Sequence, residues 1–242
     1  MAGGTRETPA LVLIHGSGGC AQRWNYQIAY FTRKGYDVVA VDLPGHGRTP
    51  GPGRREISAY ADYVEDLLRE KGTERPVIGG HSMGGAIALA MALRNPQAYS
   101  GLVLVGTGAR LRVLPTIFEA IRSNFDAATE LMARNVYSPT VAPSELKRAV
   151  KQLREVDPDV LYGDFEACDH FDIMGAIGRI TTPALVVVGA EDVMTPVKYA
   201  EYLRANLPNA TMEIIENAGH MVMIEQPDKF NAIVARFLNE LA

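Results

Sequence analysis

Six short apolar runs, each followed by a turn and most by a helical pattern, restrict the fold of this 242-residue chain more than any other feature. Val and Ile are frequent in these runs, and the apolar residues are continuous rather than alternating with polar ones. The runs span residues 10–15, 37–43, 76–80, 101–106, 184–189 and 211–216. Continuous apolar character is typical of strands covered on both faces, as in a parallel sheet. The pattern therefore predicts an α/β fold with right-handed crossovers.

Helical periodicity occupies the intervals between the runs. The predicted helices lie near 22–34, 57–71, 82–94, 196–207 and 226–241. Residues 108–180, between the fourth and fifth strands, are too many for a loop and carry further helical patterns. Pro115, Pro143 and Pro158 stand where first helical turns would begin. We predict a core domain from residues 1–107 and 181–242, with a helical lid inserted at 108–180.

Composition excludes several function classes. The net charge is −4 and the charges of both signs are interspersed, so no basic stripe for nucleic acid is present. No secretion signal opens the sequence, and no window approaches the roughly 18 apolar residues of a membrane helix. Cys20 and Cys168 suit free thiols, and the five histidines show no metal-ligand spacing. We expect a soluble cytoplasmic protein without metal, cofactor, nucleic acid or membrane insertion.

The stretch "VIGGHSMGGAIAL", residues 77–89, contains a G-x-S-x-G pattern between a strand and a helix. Ser82 could be a helix N-cap, because serine is a preferred residue there. An N-cap does not explain Gly80 and Gly84, which lie two residues on either side of it. A tight strand-to-helix turn needs small residues at those positions so that strand and helix can approach each other. The pattern favours a serine nucleophile.

Other reactive residues follow the ends of neighbouring strands. Asp192 follows the fifth strand and His220 follows the sixth, and parallel sheets gather site residues at the carboxyl ends of their strands. Imidazole can remove the proton of a serine hydroxyl near neutral pH, and a carboxylate can orient the imidazole. Glu191 is the alternative acid, one residue from Asp192. The order Ser, Asp, His is that of one large class of hydrolases.

The segments "HGSGG", "DLPGHGRT", "GGHSMGG", "GAEDVMTP" and "AGHMVMIEQP" carry a resemblance that covers nearly the whole chain. The sequence resembles the α/β-hydrolase superfamily of serine esterases and lipases, and "GHSMGG" looks like carboxylesterases and monoacylglycerol lipases. The resemblance implies Ser82 as nucleophile, His220 as general base and then acid, and Asp192 as the orienting carboxylate. It also implies an oxyanion hole formed by the backbone N–H groups of Ser17 and Met83.

The chain departs from that family at its beginning. Most relatives place an antiparallel hairpin before the strand that leads to "HG", whereas only about nine residues precede that strand in this sequence. We therefore expect a parallel sheet of about six strands without the hairpin. The edge strand left open could be shielded by a second subunit, so a homodimer is possible. Short relatives also include hydroxynitrile lyases, but these usually substitute the glycines that "HGSGG" retains.

The lid and the loop after the first strand are expected to shape the substrate pocket. The predicted substrate-binding residues, which are mostly apolar, are Gly16, Trp24, Phe118, Phe165, Met194 and Met221. Apolar lining favours a short to medium acyl or alcohol group. Arg110 and Arg112 could bind a substrate carboxylate or could be solvated charges of the lid. His15, His46 and His81 are expected to support the site, and His170 to lie on the surface or in packing.

Three functions remain open from the sequence. The favoured one is a serine carboxylic-ester hydrolase that forms an acyl-enzyme with a small-molecule ester. The second uses the same triad on a carbon-carbon bond, a lactone or a cyanohydrin. The third is a ligand-binding protein that keeps the fold without turnover.

Overall fold

The computed structural model describes residues 9–241 and has a six-stranded sheet in which every pairing is parallel. The strand order is β2-β1-β3-β4-β5-β6. The strands are β1 (Leu11–Ile14), β2 (Val38–Val41), β3 (Val77–His81), β4 (Gly101–Val105), β5 (Ala184–Gly189) and β6 (Ala210–Ile215). Each lies within two residues of its predicted run at either end. The predicted α/β architecture, a parallel sheet of six strands without an antiparallel hairpin among residues 9–241, is confirmed.

Residues of one strand alternate between two apolar layers. In β1, Val12 and Ile14 join the cluster that packs under α2, α3 and α8, while Leu11 and Leu13 join the cluster under α1 and α10. All four are at most 3% exposed. Burial of each such side chain stabilises the fold by about 1.5–3 kcal/mol. β3, β4 and β5 are buried throughout in the same way, so coverage on both faces explains why the runs of the inner strands lack polar alternation.

The helices that cover the sheet match their predicted positions closely. They are α1 (Asn25–Arg33), α2 (Ile57–Glu70), α3 (Met83–Arg94), α8 (Val197–Asn206) and α10 (Pro227–Leu241). The short helix α9 (Val222–Glu225) and the 3₁₀ turns Ala21–Trp24 and Ile177–Arg179 have no counterpart among the predicted elements. No helix within residues 9–241 combines the length and apolar character that a membrane span requires.

Four helices lie between β4 and β5, and we call them the helical insertion. They are α4 (Pro115–Ser123), α5 (Phe125–Asn135), α6 (Pro143–Arg154) and α7 (Pro158–His170). The three prolines begin helices as predicted. The helical pattern of residues 114–137 is divided at Asn124, whose side chain accepts a hydrogen bond from Ala127 N at 3.1 Å and caps α5.

The division into a core domain and a lid domain stays a prediction. Insertion residues such as Met132 and Leu161 belong to the same apolar cluster as β1. The edge strand β2 is only half-buried at Val38, Val39 and Ala40, and a subunit that covers it also stays a prediction.

Parallel register brings the carboxyl ends of the strands to one edge. Ile14 of β1 pairs with Gly80 of β3, and Val105 of β4 pairs with His81 of β3 and with Val187 of β5. The loops that follow β1, β3, β4, β5 and β6 therefore leave the sheet side by side. The candidate site is built from these five loops.

Candidate active site

Ser82 occupies a strained turn between β3 and α3. Its φ of 53° and ψ of −117° lie outside the regions that side-chain-bearing residues prefer. The backbone is fixed because Ser82 N donates to Val105 O at 2.8 Å and Ser82 O accepts from Gly85 N at 2.9 Å and from the Thr107 hydroxyl at 2.8 Å. The serine side chain makes no capping hydrogen bond. Its hydroxyl is therefore not used as an N-cap.

The glycines around Ser82 are required by close backbone contacts. A Cβ at Gly80 would overlap the carbonyl oxygen of Gly84, and a Cβ at Gly84 would overlap the carbonyl oxygen of Ile14. At Gly16, a Cβ would lie 3.0 Å from the Cβ of Ser82. The G-x-S-x-G spacing thus allows β1, β3 and α3 to meet at the serine.

His220 and Asp192 form a buried hydrogen-bonded pair. The imidazole Nδ1 lies 2.8 Å from Asp192 Oδ2, with the two side chains 4% and 0% exposed. An ionised carboxylate only accepts hydrogen bonds, so Nδ1 carries the proton and Nε2 is left as a base. Glu191 is half-exposed, and its backbone N–H donates to Ala218 O at 2.9 Å. The acid bonded to the histidine is Asp192.

Three further donors hold the Asp192 carboxylate. Oδ1 accepts from the backbone N–H groups of Met194 and Thr195 at 2.9 and 2.8 Å, and Oδ2 accepts from the Thr195 hydroxyl at 2.9 Å. Burial alone would raise the pKa of Asp192, but the charge and hydrogen bond of His220 and the Thr195 donors outweigh it and lower that pKa. Asp192 is therefore ionised at neutral pH.

His81 and Gly106 lie next to His220. His81 Nε2 donates to the carbonyl oxygen of His220 at 3.0 Å, and burial together with the nearby His220 holds the pKa of His81 well below its ordinary value of 6.5. Gly106 has φ 50°, and a Cβ there would lie 3.1 Å from His220 Nδ1. His220 is therefore in contact with a neutral imidazole and with a backbone position that leaves little room for a side chain.

The loop after β1 and the first turn of α3 carry free backbone donors next to the serine. Met83 is the first residue of α3, so its N–H has no partner within the helix. Within residues 9–241 we find no hydrogen bond from the N–H of Ser17 or of Met83 to another protein group. The Ser17 hydroxyl lies 3.6 Å from Met83 Sδ, so the two residues are in contact. These N–H groups are available to an oxyanion, as the resemblance implies.

Asp164 of the insertion anchors the loop after β1. Its Oδ2 accepts from Gly18 N at 2.9 Å and lies 2.9 Å from His46 Nε2, while Oδ1 accepts from the Tyr60 hydroxyl at 2.5 Å. His46 Nδ1 lies 3.0 Å from the carbonyl oxygen of Pro44, so both ring nitrogens face acceptors. Burial opposes the charge on His46, but Asp164 outweighs burial and raises the pKa of His46.

His15 beside this network is neutral. Its Nδ1 donates to Gly16 O at 2.8 Å, whereas its Nε2 accepts from Leu43 N at 3.1 Å. Burial and the nearby charge of His46 lower the pKa of His15 to about 4. His15 and His46 therefore have supporting positions, and His170 is exposed, with Nδ1 3.0 Å from Glu56.

One cavity joins these groups. Its wall includes Ser82, His220, His81, Gly16 and Ser17, and most of the remaining wall is apolar. Apolar side chains from the insertion and from the loops after β4 and β5 line it, among them Leu111, Val136, Leu153, Phe165 and Met194. Cys168 also lines the cavity, and burial raises the pKa of its thiol to about 12, so it stays protonated.

Four of the six predicted substrate-binding residues line this cavity, namely Gly16, Phe165, Met194 and Met221. Trp24 does not, because it is 0% exposed and packs against Phe230 in the core. Phe118 does not either, because it lies edge-on to Tyr162 at 5.1 Å within the insertion. Apolar periodicity predicts which residues are buried, but it does not distinguish residues of the core from residues that line a cavity.

The contacts of three supporting residues were not predicted from the sequence. Thr195 stands in "GAEDVMTP", which carries the resemblance, but its hydrogen bonds to Asp192 depend on a turn that returns it to that residue. Thr107 and Asp164 reach partners 25 and 146 residues away in the chain, Ser82 and Gly18. Such pairings follow from the tertiary fold.

Comparisons with known proteins agree with this arrangement. A thermophilic esterase of known structure is 35% identical, with a TM-score of 0.85 over 98% of this chain and 92% of that one. A 2-hydroxy-6-oxononadienedioate/2-hydroxy-6-oxononatrienedioate hydrolase of Dechloromonas aromatica is 30% identical over 94% of this chain and 86% of its own length. A putative carbamate hydrolase of Pseudomonas savastanoi is 28% identical over 96% of this chain and 95% of its own length.

The family model matches over nearly the same span as the sheet and its helices. It covers residues 11–233, from the first strand into α10, and includes Ser82, Asp192 and His220. The chain belongs to the alpha/beta hydrolase family.

Proposed function

We propose that this α/β hydrolase is a serine carboxylic-ester hydrolase acting on short to medium esters. One observation carries the proposal: the uncapped, strained Ser82 lines the same cavity as His220, whose Nδ1 is bonded to the buried Asp192. A serine without a base is a poor nucleophile near neutral pH, and a histidine held by an ionised carboxylate supplies that base.

Acylation begins when Ser82 Oγ attacks the ester carbonyl carbon and its proton passes to His220 Nε2. The carbonyl oxygen becomes an oxyanion, which accepts hydrogen bonds from the N–H groups of Ser17 and Met83. Such preorganised donors are worth about 3 kcal/mol each in a site that excludes water. Asp192 stabilises the imidazolium, which then gives its proton to the alkoxide as the ester C–O bond breaks.

Deacylation repeats these steps with water. His220 Nε2 takes a proton as the water oxygen attacks the acyl carbon, and the second tetrahedral intermediate uses the same backbone donors. Collapse breaks the bond to Ser82 Oγ, which regains its proton from His220. The products are a carboxylic acid and an alcohol, and neither half-reaction needs a cofactor.

The apolar cavity wall supports short to medium acyl or alcohol groups, with Leu111, Leu153 and Phe165 as the contacting side chains. The similarity to a thermophilic esterase favours ester bonds. The second candidate is cleavage of a carbon-carbon bond by the same triad, which the similarity to the Dechloromonas aromatica hydrolase supports. A ligand-binding protein without turnover would not need the four donors that hold Asp192.

A panel of p-nitrophenyl esters from acetate to palmitate, with a lactone and a cyanohydrin alongside, tests the proposal. We expect the highest kcat/KM on short and medium esters and a loss of at least about 10⁴-fold in Ser82→Ala. Turnover of the lactone or cyanohydrin far above every ester would replace the proposal with its alternative. Ester turnover that survives Ser82→Ala would overturn it.

A further inference from the structure

The charged side chains that line the catalytic cavity are all positive. They are Arg23 and Arg112, and among the described residues no Asp or Glu contributes to this wall. The neutral polar groups include Tyr137 and Tyr199, and most of the remaining wall is apolar. A cavity with this pattern favours a substrate that carries a negative charge on an otherwise apolar body.

The two arginines differ in how their charge is balanced. Arg112 is 60% exposed, lies 3.9 Å from the carboxylate of Asp169 and donates to Asp169 O at 3.4 Å. Arg23 is half-buried in the 3₁₀ turn after the loop that carries Ser17. In the described part of the chain its guanidinium has neither a carboxylate within 4.0 Å nor a hydrogen-bond acceptor. A half-buried guanidinium without a partner leaves its donors free for a ligand.

Tyr137 is a second unpartnered donor in the same wall. It is 5% exposed, and its hydroxyl has no hydrogen-bond partner within residues 9–241. Buried hydroxyls nearly always have partners, so an unpartnered one that borders a cavity points to a ligand. Arg23 and Tyr137 line the same cavity. Burial raises the pKa of Tyr137, and the positive charge of Arg23 opposes that rise.

We propose that Arg23 and Tyr137 bind a carboxylate of the substrate, so that the protein prefers half-esters of dicarboxylic acids to neutral esters. The proposal rests on the ester hydrolysis proposed above. The planar guanidinium presents paired N–H groups that match the two oxygens of a carboxylate, and the Tyr137 hydroxyl can donate a further hydrogen bond. The apolar wall then contacts the carbon chain between the carboxylate and the reacting ester.

The test compares mono-p-nitrophenyl succinate with p-nitrophenyl butyrate, in which a methyl group replaces the carboxylate. We expect Arg23→Met to lower the ratio of their kcat/KM values by at least about tenfold, chiefly by raising KM for the succinate ester. Tyr137→Phe should lower the ratio by a smaller factor. Arg33→Met, at the exposed end of α1, is the matched control and should leave the ratio unchanged. An unchanged ratio in Arg23→Met would overturn the proposal.

A binding measurement tests the carboxylate site independently of the proposed ester hydrolysis. The Ser82→Ala variant cannot turn over an ester by the proposed mechanism, so calorimetry can measure how monomethyl succinate binds to it. We expect the added Arg23→Met substitution to raise Kd by about tenfold. Equal Kd values in the two variants would refute the carboxylate site even if esters are hydrolysed. If the two Kd values differ but the parent protein hydrolyses no ester, the carboxylate site is supported and the proposed ester hydrolysis is refuted. Melting temperatures confirm that each variant is folded.

Discussion

Two buried histidine-carboxylate pairs lie at the same edge of the sheet and differ in what surrounds them. In the His220–Asp192 pair the two atoms are 2.8 Å apart, and in the His46–Asp164 pair they are 2.9 Å apart. Every one of the four side chains is at most 4% exposed. Distance and burial alone would not tell which pair takes part in a reaction.

The difference lies in the atoms that remain free. His220 uses one nitrogen on Asp192 and faces the cavity of Ser82, whereas both nitrogens of His46 face acceptors. Asp164 also accepts from Tyr60 and from Gly18 N, and it joins the insertion to the loop after β1. A pair with a free basic nitrogen can move a proton, and a pair with every atom bonded fixes the structure.

The largest effect is expected from breaking the reactive pair. Asp192→Asn keeps the size of the side chain but removes the charge that orients and stabilises the His220 imidazolium, so kcat should fall by about 10⁴-fold. The measurement is steady-state turnover of a short p-nitrophenyl ester. Glu191→Gln is the matched control next to it, and an equal loss in that variant would contradict the assignment of the acid.

The other pair should respond mainly in stability. Asp164→Asn leaves His46 and Tyr60 without their common carboxylate, and loss of one partner of a buried pair should lower the free energy of unfolding by about 3 kcal/mol. Because an amide has one acceptor oxygen where the carboxylate has two, Gly18 N, His46 and Tyr60 cannot all keep their hydrogen bonds. The loop after β1 should therefore be held less firmly, and kcat should fall by about tenfold, far less than in Asp192→Asn. Urea unfolding and ester turnover measure the two effects.

Asp66→Asn, on an exposed ion pair with Arg69, is the control for Asp164→Asn and should change neither quantity. If Asp164→Asn lost as much activity as Asp192→Asn while keeping full stability, the distinction between the pairs would be wrong.

A methyl group placed against the reactive pair should have a smaller effect. Gly106→Ala puts a Cβ 3.1 Å from His220 Nδ1 and 3.2 Å from Asp192 Oδ2, at a φ of 50°. The left-handed backbone should cost about 1–2 kcal/mol of unfolding free energy. Displacement of the imidazole should lower kcat by about tenfold.

Gly72→Ala is the control that measures the cost of the left-handed backbone conformation alone, without the contact made in Gly106→Ala. Gly72 has φ 63°, and a Cβ there would meet nothing within 4 Å. This variant should lose similar stability without losing kcat. Equal kcat losses in both glycine variants would show that the contact with His220 is irrelevant.

The smallest expected effect is a pH dependence of the free energy of unfolding. His46 and His15 contribute to this dependence with opposite signs. The raised pKa of His46 means that its contribution is complete below the ordinary value of 6.5 and is lost as pH rises through the folded-state pKa. His15, with its pKa lowered to about 4, is neutral in the fold, so its unfavourable protonation reduces stability as pH falls below 6.5.

Urea unfolding from about pH 5 to about pH 9 measures this dependence. His46→Gln should remove the decline on the alkaline side and keep most of the decline on the acid side, because burial, the larger cause of the low His15 pKa, is unchanged and His81 still resists protonation. A decline on the alkaline side that persists unchanged in His46→Gln would contradict the charge assigned to this pair.

The strands, and the placement of Ser82, Asp192 and His220 just after strand ends, could be predicted from the sequence because local patterns specify both. Burial on both faces makes the inner strands β1, β3, β4 and β5 continuous apolar runs, and the turn at Ser82 needs glycines at fixed spacing. Asp164 and Arg23 could not be predicted in the same way. Asp164 lies in a helical pattern, and its partner His46 is 118 residues away.

Arg23 and Trp24, which are adjacent in the chain, also show what could not be predicted from the sequence. Trp24 was predicted to contact substrate and lies in the core, whereas Arg23 next to it lines the cavity. A short 3₁₀ turn points neighbouring side chains in different directions, and no periodicity identifies which direction faces the cavity.

Covalent labelling of Ser82 tests the central claim most directly. Diethyl p-nitrophenyl phosphate reacts with a serine activated by a histidine base and releases p-nitrophenolate. Intact-mass and peptide spectra should show one diethylphosphoryl group per chain, attached to Ser82 in the parent protein and absent from Ser82→Ala. A parent protein that stays unlabelled, or a label on another residue that persists in Ser82→Ala, would contradict the account.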